Sequence, residues 1–179
     1  MRSANRYICA CEATIISAER AVRPNARFLL RHPAHFIALG AGAGLVPFAP
    51  GTFGTLLALP IFWLAGPRLE PSVYLLGLVG FFAIGIWACE LTGRDLGHAD
   101  HGSMVWDETV AFLLVLFFTP VYDYWQAAAF VLFRAFDIVK PPPIRYYERT
   151  VAGGFGVMLD DLVAAFYTLV VLAIAKAII

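Results

Sequence analysis

The chain has 179 residues, 60% of them hydrophobic and only 15% charged, and its mean hydropathy is +0.74. That composition excludes an ordinary soluble domain and predicts a small integral membrane protein with one domain. A formal charge of zero gives no reason to expect a nucleic-acid partner, and Cys9, Cys11 and Cys89 have neither CxxC nor metal-ligand spacing, so reduced thiols are expected.

Residues 1–31 read as a basic cytosolic arm or interfacial helix. "YICACEATIISAER" is interrupted by Glu12 and followed by Arg20, Arg23, Arg27 and Arg31, which is not the pattern of a signal peptide. Residues 32–179 read as the membrane-embedded domain. From His32 to Pro67 there is no Asp, Glu, Lys or Arg, yet "GAGAGLVPFAPGTFG" breaks the apolar run and predicts a Gly/Pro loop before a first helix at about 55–65. "PSVYLLGLVGFFAIGIWAC", residues 71–89, is uncharged and near the roughly 20 residues that cross a hydrocarbon core. The polar loop "ELTGRDLGHADHGSM" follows, and then a third helix, "VWDETVAFLLVLFF", at 105–118. A fourth helix, 121–139, is stopped by the prolines of "KPPP", and a fifth covers about 157–179. The expected fold is an all-α bundle of about four to five membrane-embedded helices, some short, tilted or re-entrant.

Threading these helices up and down brings five carboxylates from three helices to one membrane face. Asp107 and Glu108 start the third helix, Asp137 ends the fourth, and Asp160 and Asp161 start the fifth. Eleven of the thirteen Lys and Arg fall on the same face, all but Arg68 and Lys176, so the positive-inside rule makes it cytoplasmic.

An acid near a helix N-terminus is explained singly by capping and the helix dipole, worth about 0.3 to 1 kcal/mol. Asp137 sits at the wrong end for that account, and several acids at membrane depth cost more than capping returns unless they are paired or bind a cation. Neighbours on a helix point about 100° apart, so one acid of each adjacent pair is expected to face the shared site. Hard oxygen donors without a His or Cys set suit one or two Mg²⁺ ions, with Mn²⁺ as the alternative. Lys140, Arg145 and Arg149 are candidate phosphate contacts, as are Thr52 and Thr55 with the backbone N–H groups of "GTFGT". His101 is the candidate proton donor. No Cys has an Arg six residues later and no Asp-x-Asp pair occurs, so a thiolate or aspartyl-phosphate phosphatase is excluded and metal-activated water remains. An ion-coupled transporter and a lipid phosphotransferase with a similar metal site are the alternatives.

Three long motifs carry a resemblance: "GAGLVPFAPGTFGTLLALP", "DLGHADHGSMVWDE" and "FRAFDIVKPPPIRYYERTVAGGFGVMLDD". In this order, over about residues 33–168, the chain resembles the phosphatidylglycerophosphatase A family of bacterial membrane enzymes. The resemblance implies Mg²⁺-dependent hydrolysis of the terminal phosphomonoester of phosphatidylglycerophosphate in the inner membrane, giving phosphatidylglycerol and phosphate. It maps the family's acids onto Asp107, Glu108, Asp137, Asp160 and Asp161. Thr55, "KPPP" and Glu148 stand where the family pattern has Ser, "KPWP" and Asp; hydroxyl and carboxylate are kept, and an aromatic packing or lipid contact is lost.

Overall fold

The computed structural model describes residues 24–142, 144 and 150–178, and every regular element among them is helical. Two short helices open it, α1 (Ala26–Arg31) and α2 (Pro33–Ala38), followed by a 3₁₀ segment at Gly40–Leu45. The bundle proper is α3 (Pro50–Ala65), α4 (Pro71–Leu96), α5 (Trp106–Phe118), α6 (Asp123–Val139) and α7 (Gly153–Ile178).

α5 and α7 form the centre. α5 packs on α3, α4 and α7, while α7 also packs on α4 and α6. The sequence of α5 is apolar all round after its first turn, and Phe112, Leu113, Val115 and Leu116 are fully enclosed, as befits a helix with no solvent face. Outer faces are apolar too: Leu76, Val79, Ile84 and Trp87 of α4 and Phe166 and Ile174 of α7 are exposed. α4 and α7, at 26 residues each, are the two helices long and apolar enough to cross a membrane. At 1.5 Å per residue, α5 runs only about 20 Å, short of a hydrocarbon core of about 30 Å.

Three boundaries differ from the sequence expectation, each for a local reason. α4 continues from residue 89 to Leu96, because Glu90 and Arg94 pair at i,i+4 and nothing breaks the helix before Gly97, which takes φ 75° as its left-handed cap. α3 begins at Pro50, not near residue 55, with proline in the first turn where its missing N–H costs nothing, so "GTFGT" is helix instead of loop. α7 begins at Gly153, so Asp160 and Asp161 lie about two turns inside it and the helix-terminus account of them does not apply.

α2 is tied to the bundle at its two ends. His35, 1% exposed, stacks on Phe28 and contacts Thr92 Oγ1 through Nδ1 at 3.0 Å and Asp95 Oδ2 through Nε2 at 3.1 Å. The Val105 amide donates to Ala38 O at 2.8 Å, which fixes where α5 starts.

Close helix crossings make the first prediction. A Cβ on Gly154 would strike Ile86 O and the Glu90 amide of α4, whereas one on Gly77 meets nothing within 4 Å. Gly154→Ala should therefore cost about 1–3 kcal/mol of stability, and Gly77→Ala none, in thermal unfolding of the detergent-solubilised protein; equal melting temperatures would contradict the packing. A second concerns pH. Burial pushes the His35 imidazole below 6.5, against the opposing pull of Asp95 and with help from His32. Its folded-state pKa being depressed, the stability it contributes is full above pH 6.5 and falls as acidification forces a proton onto it. Wild type should lose melting temperature below pH 6.5 more steeply than His35→Asn; parallel curves would count against it.

Candidate active site

The candidate site is assembled from the start of α3, the start of α5, the end of α6 and the third turn of α7. Glu108, Asp137 and Asp161 each offer a carboxylate oxygen, and the three atoms lie within 4.8 Å of one another. Asp161 is 4% exposed and Glu108 and Asp137 are nearly as enclosed, with side-chain exposures of 13% and 12%. Asp161 lies roughly 12 Å along α7 from its first residue, which recesses the cluster below the end of the bundle.

Arg134, which the sequence reading did not single out, holds this group together. Its Nη1 donates to Glu108 Oε1 at 2.9 Å and to Asp137 Oδ2 at 2.7 Å. The i,i+3 spacing on α6 puts Arg134 and Asp137 on one face. The signal in the sequence is a lone arginine in the otherwise apolar run "AAAFVLFRAF", where positive-inside anchoring explains it poorly.

Room for Glu108 comes from α3. A Cβ on Gly51 would collide with the Glu108 carboxylate, and one on Gly54 would meet Glu108 Oε2 and Val105. Thr109 fastens the same crossing, its hydroxyl donating to Gly54 O at 2.8 Å. The glycines of "PGTFG" thus admit a carboxylate between two helices.

The adjacent acids divide as helix geometry requires. Asp161 joins Glu108 and Asp137, whereas Asp160, 5% exposed, accepts from Lys140 Nζ at 2.7 Å. Lys140 caps α6 with φ 45°, an uncommon conformation for a residue with a side chain, and Pro141 after it disfavours the right-handed helix. Asp107 is 6% exposed, with its Oδ1 buried and unpartnered, and stands outside the three-carboxylate group.

The other sequence candidates are placed as follows. Thr55 is fully buried and its hydroxyl donates to Gly51 O at 2.9 Å, while Thr52 is half-buried in the first turn of α3. His101 lies in the 97–105 loop, where its Nδ1 accepts from the Ser103 amide at 3.2 Å and burial lowers its pKa, aided by His98 and opposed by Asp100. Arg145 and Arg149 lie outside the described residues. Asp100, also missed, shares with Asp160 a cavity of about 170 Å³ closed by Gly153, Gly156 and Val157. "HADHG" held the signal, an acid between two histidines in a motif-bearing loop.

The family model of phosphatidylglycerophosphatase A matches residues 36–176. The chain belongs to the phosphatidylglycerophosphatase A family. Its activity is that of a phosphatidylglycerophosphatase, an enzyme of phospholipid synthesis that converts phosphatidylglycerophosphate to phosphatidylglycerol. The Escherichia coli phosphatidylglycerophosphatase A is 44% identical over 77% of this chain and 80% of its own length. The Haemophilus influenzae protein of that name is 41% identical over 83% and 91%. A Bacteroides thetaiotaomicron protein, named as a candidate phosphatidylinositol-3-phosphatase, is 42% identical over 80% and 93%. No solved structure matches.

Removing Arg134 would leave two buried carboxylates side by side without their cation. Arg134→Ala should cost about 3 kcal/mol in unfolding, and the Arg134→Ala, Glu108→Ala double variant should recover part of that loss. Unfolding of the single variant at the wild-type temperature would remove the ion pair from any structural account.

Proposed function

We propose that Glu108, Asp137 and Asp161 hold a divalent cation and that the chain uses it to hydrolyse the terminal phosphomonoester of phosphatidylglycerophosphate. The observation that carries this reading is a set of buried oxygens without partners. Glu108 Oε2 and Asp161 Oδ2 are enclosed and unbonded beside one another's helices, and Asp107 Oδ1 is in the same condition. Unpaired carboxylate oxygens in an apolar bundle are costly, and a cation is the ligand that removes the cost. An all-oxygen donor set suits magnesium, with manganese next, and one or two ions fit five carboxylates. When bound, the ion supplies Lewis acidity, lowering the pKa of a water and offsetting charge on phosphoryl oxygens.

The residues of the chain do the rest. Arg134 holds one oxygen of Glu108 and one of Asp137 at a single nitrogen, which aims both side chains at one point. Lys140 approaches from the end of α6, where an ammonium that already holds Asp160 can also meet a phosphate oxygen. Arg145 and Arg149 follow Lys140 in sequence and supply further cationic contacts, bidentate by nature. Asp100 and Asp160 face one cavity, and a carboxylate there accepts a proton as water attacks in line. His101 is the donor to the leaving glycerol oxygen, and its lowered pKa places its protonated fraction on the acidic side of neutrality. Thr52 and the α3 start line the approach.

In this reading residues 32–179 are the membrane-embedded phosphatase domain and residues 1–31 a cytosolic arm. The acid-bearing end faces the cytoplasm of the bacterial inner membrane, the side to which up-and-down threading of the sequence assigns eleven of thirteen Lys and Arg. A phosphomonoester on another lipid headgroup would meet the same carboxylates, and the Bacteroides relative's name makes phosphatidylinositol-3-phosphate the comparison substrate.

Phosphate release from both lipids by purified protein, with Mg²⁺ or EDTA, tests the proposal. We expect release from phosphatidylglycerophosphate with Mg²⁺ only, and a loss of at least about a hundredfold in Asp161→Asn. Independently of turnover, millimolar Mg²⁺ should raise the melting temperature of wild type and not of Asp161→Asn, while Asp161→Asn should melt higher than wild type in EDTA because one crowded charge is gone. Mg²⁺ stabilisation that survives in Asp161→Asn would sink the ligand assignment.

A further inference from the structure

The helices that build the site also leave an apolar slot that leads away from it. α3 packs on α5 and α6 on α7, and α3 and α6 barely touch each other. Between them lies a cavity of about 460 Å³ lined by Leu56, Leu59 and Trp63 of α3 and by Ala127, Phe130 and Val131 of α6, with Gln126 and Asp123 at its far end.

Two polar cross-links bracket this slot. At the acid-bearing end, Arg134 Nη1 reaches Thr55 Oγ1 at 3.4 Å, and the same nitrogen holds Glu108 and Asp137. At the other, Trp63 Nε1 donates to Gln126 Oε1 at 3.1 Å. Helix spacing sets the walls: Leu59 is one turn on from Thr55 and Trp63 one turn on from Leu59, while Phe130 and Val131 precede Arg134 by one turn and Gln126 precedes Phe130 by one more. The slot is therefore about 12 Å long, parallel to the helices, and its head is the arginine that orients the carboxylates. The other large apolar cavity, lined by Phe118, Trp125, Leu169 and Lys176, lies at the opposite end of the bundle and has no such continuity.

We propose that the α3–α6 slot binds one acyl chain of the phospholipid substrate, seating it so that the headgroup enters the carboxylate cluster. This rests on the lipid phosphatase reading above. The occupant is the substrate's own chain, because the slot's walls end one turn from Arg134, which holds two of the carboxylates, and the slot is apolar between its two polar ends. A lipid would enter laterally between α3 and α6 and keep its second chain in the bilayer. The slot binds by apolar contact with Leu59, Phe130 and Val131 and selects for chain length at the Trp63–Gln126 bond, where further methylenes must bend out.

Ala127→Trp fills the slot from an exposed position, and Ala128→Trp places the same ring on the same helix about 100° away, outside the slot. Phosphate release from dihexanoyl and dipalmitoyl phosphatidylglycerophosphate is measured in mixed micelles with Mg²⁺. For Ala127→Trp we expect KM to rise about tenfold on the dipalmitoyl lipid, with KM on the dihexanoyl lipid and both kcat values near wild type. Ala128→Trp should match wild type on both. An Ala127→Trp profile equal to wild type would make the slot ordinary bilayer-facing surface and overturn the proposal. Equal losses on both lipids, or the same shift in Ala128→Trp, would also overturn it. Wild type inactive on both lipids would overturn instead the phosphatase reading on which the slot depends.

Discussion

Everything near the site follows from placing carboxylates where an apolar bundle has no water to offer them. Asp107, Glu108, Asp137, Asp160 and Asp161 meet two cations among the described residues, Arg134 and Lys140, so at full ionisation the cluster lacks three positive charges. A bundle can hold such a deficit only by donating hydrogen bonds, by taking up protons or by binding a cation. The bonded donors are few, and Arg134 Nε is itself buried without a partner. Arg134 spends one nitrogen on two carboxylates, Lys140 goes to Asp160, and the Asp161 amide donates back to Asp160 Oδ1 at 3.1 Å. Oxygens of three acids are left over, and they are the ones that face inward.

Small residues make that concentration of charge geometrically possible. Glu108 is long and must lie flat between α3 and α5, which needs hydrogen in place of a side chain at Gly51 and Gly54. The same device sets the crossing of α4 with α7, where Gly85 leaves room for Met158 and Trp106, and Gly154 lets its amide reach Glu90 Oε2 at 2.6 Å. In a membrane bundle, where apolar burial against lipid tails drives little, such close backbone approach is the main source of helix attraction. The glycines therefore serve packing and chemistry at once, and the stiffness of α5 between α3 and α7 keeps the carboxylates at fixed separation.

Much of this was legible in the sequence, and its limits were physical. Apolar runs between breakers located the five bundle helices, and alternating their direction brought Glu108, Asp137 and Asp161 to one end. Helix starts were less legible. Pro50 and Gly153 read as loop residues by composition, yet a proline in the first turn and a glycine at a crowded crossing are both compatible with helix. That is why the sequence put Asp160 and Asp161 at a helix terminus when they lie about two turns inside. "GTFGT" read as loop for the same reason, and nothing in one sequence reveals that its glycines accommodate a carboxylate from another helix. Arg134 was missed because it was counted as a membrane-surface charge; only the geometry of Glu108 shows what it binds. Arg145 and Arg149 lie beyond the described residues.

The bundle is polar at one end and apolar along its length, and the chemistry of a lipid phosphomonoester has the same asymmetry. Short helices place the start of α5 level with the third turn of α7, so the carboxylates sit in a recess below the longer helix ends. A headgroup reaching that recess leaves bulk water behind, which strengthens every charge interaction it makes there. In the proposed seating its acyl chains need no such transfer, because the apolar walls of α3 and α6 run to within one turn of Arg134. An enzyme so arranged lifts only a headgroup across a steep polarity gradient, and the gradient is set by a single turn of helix between Phe130 and Arg134.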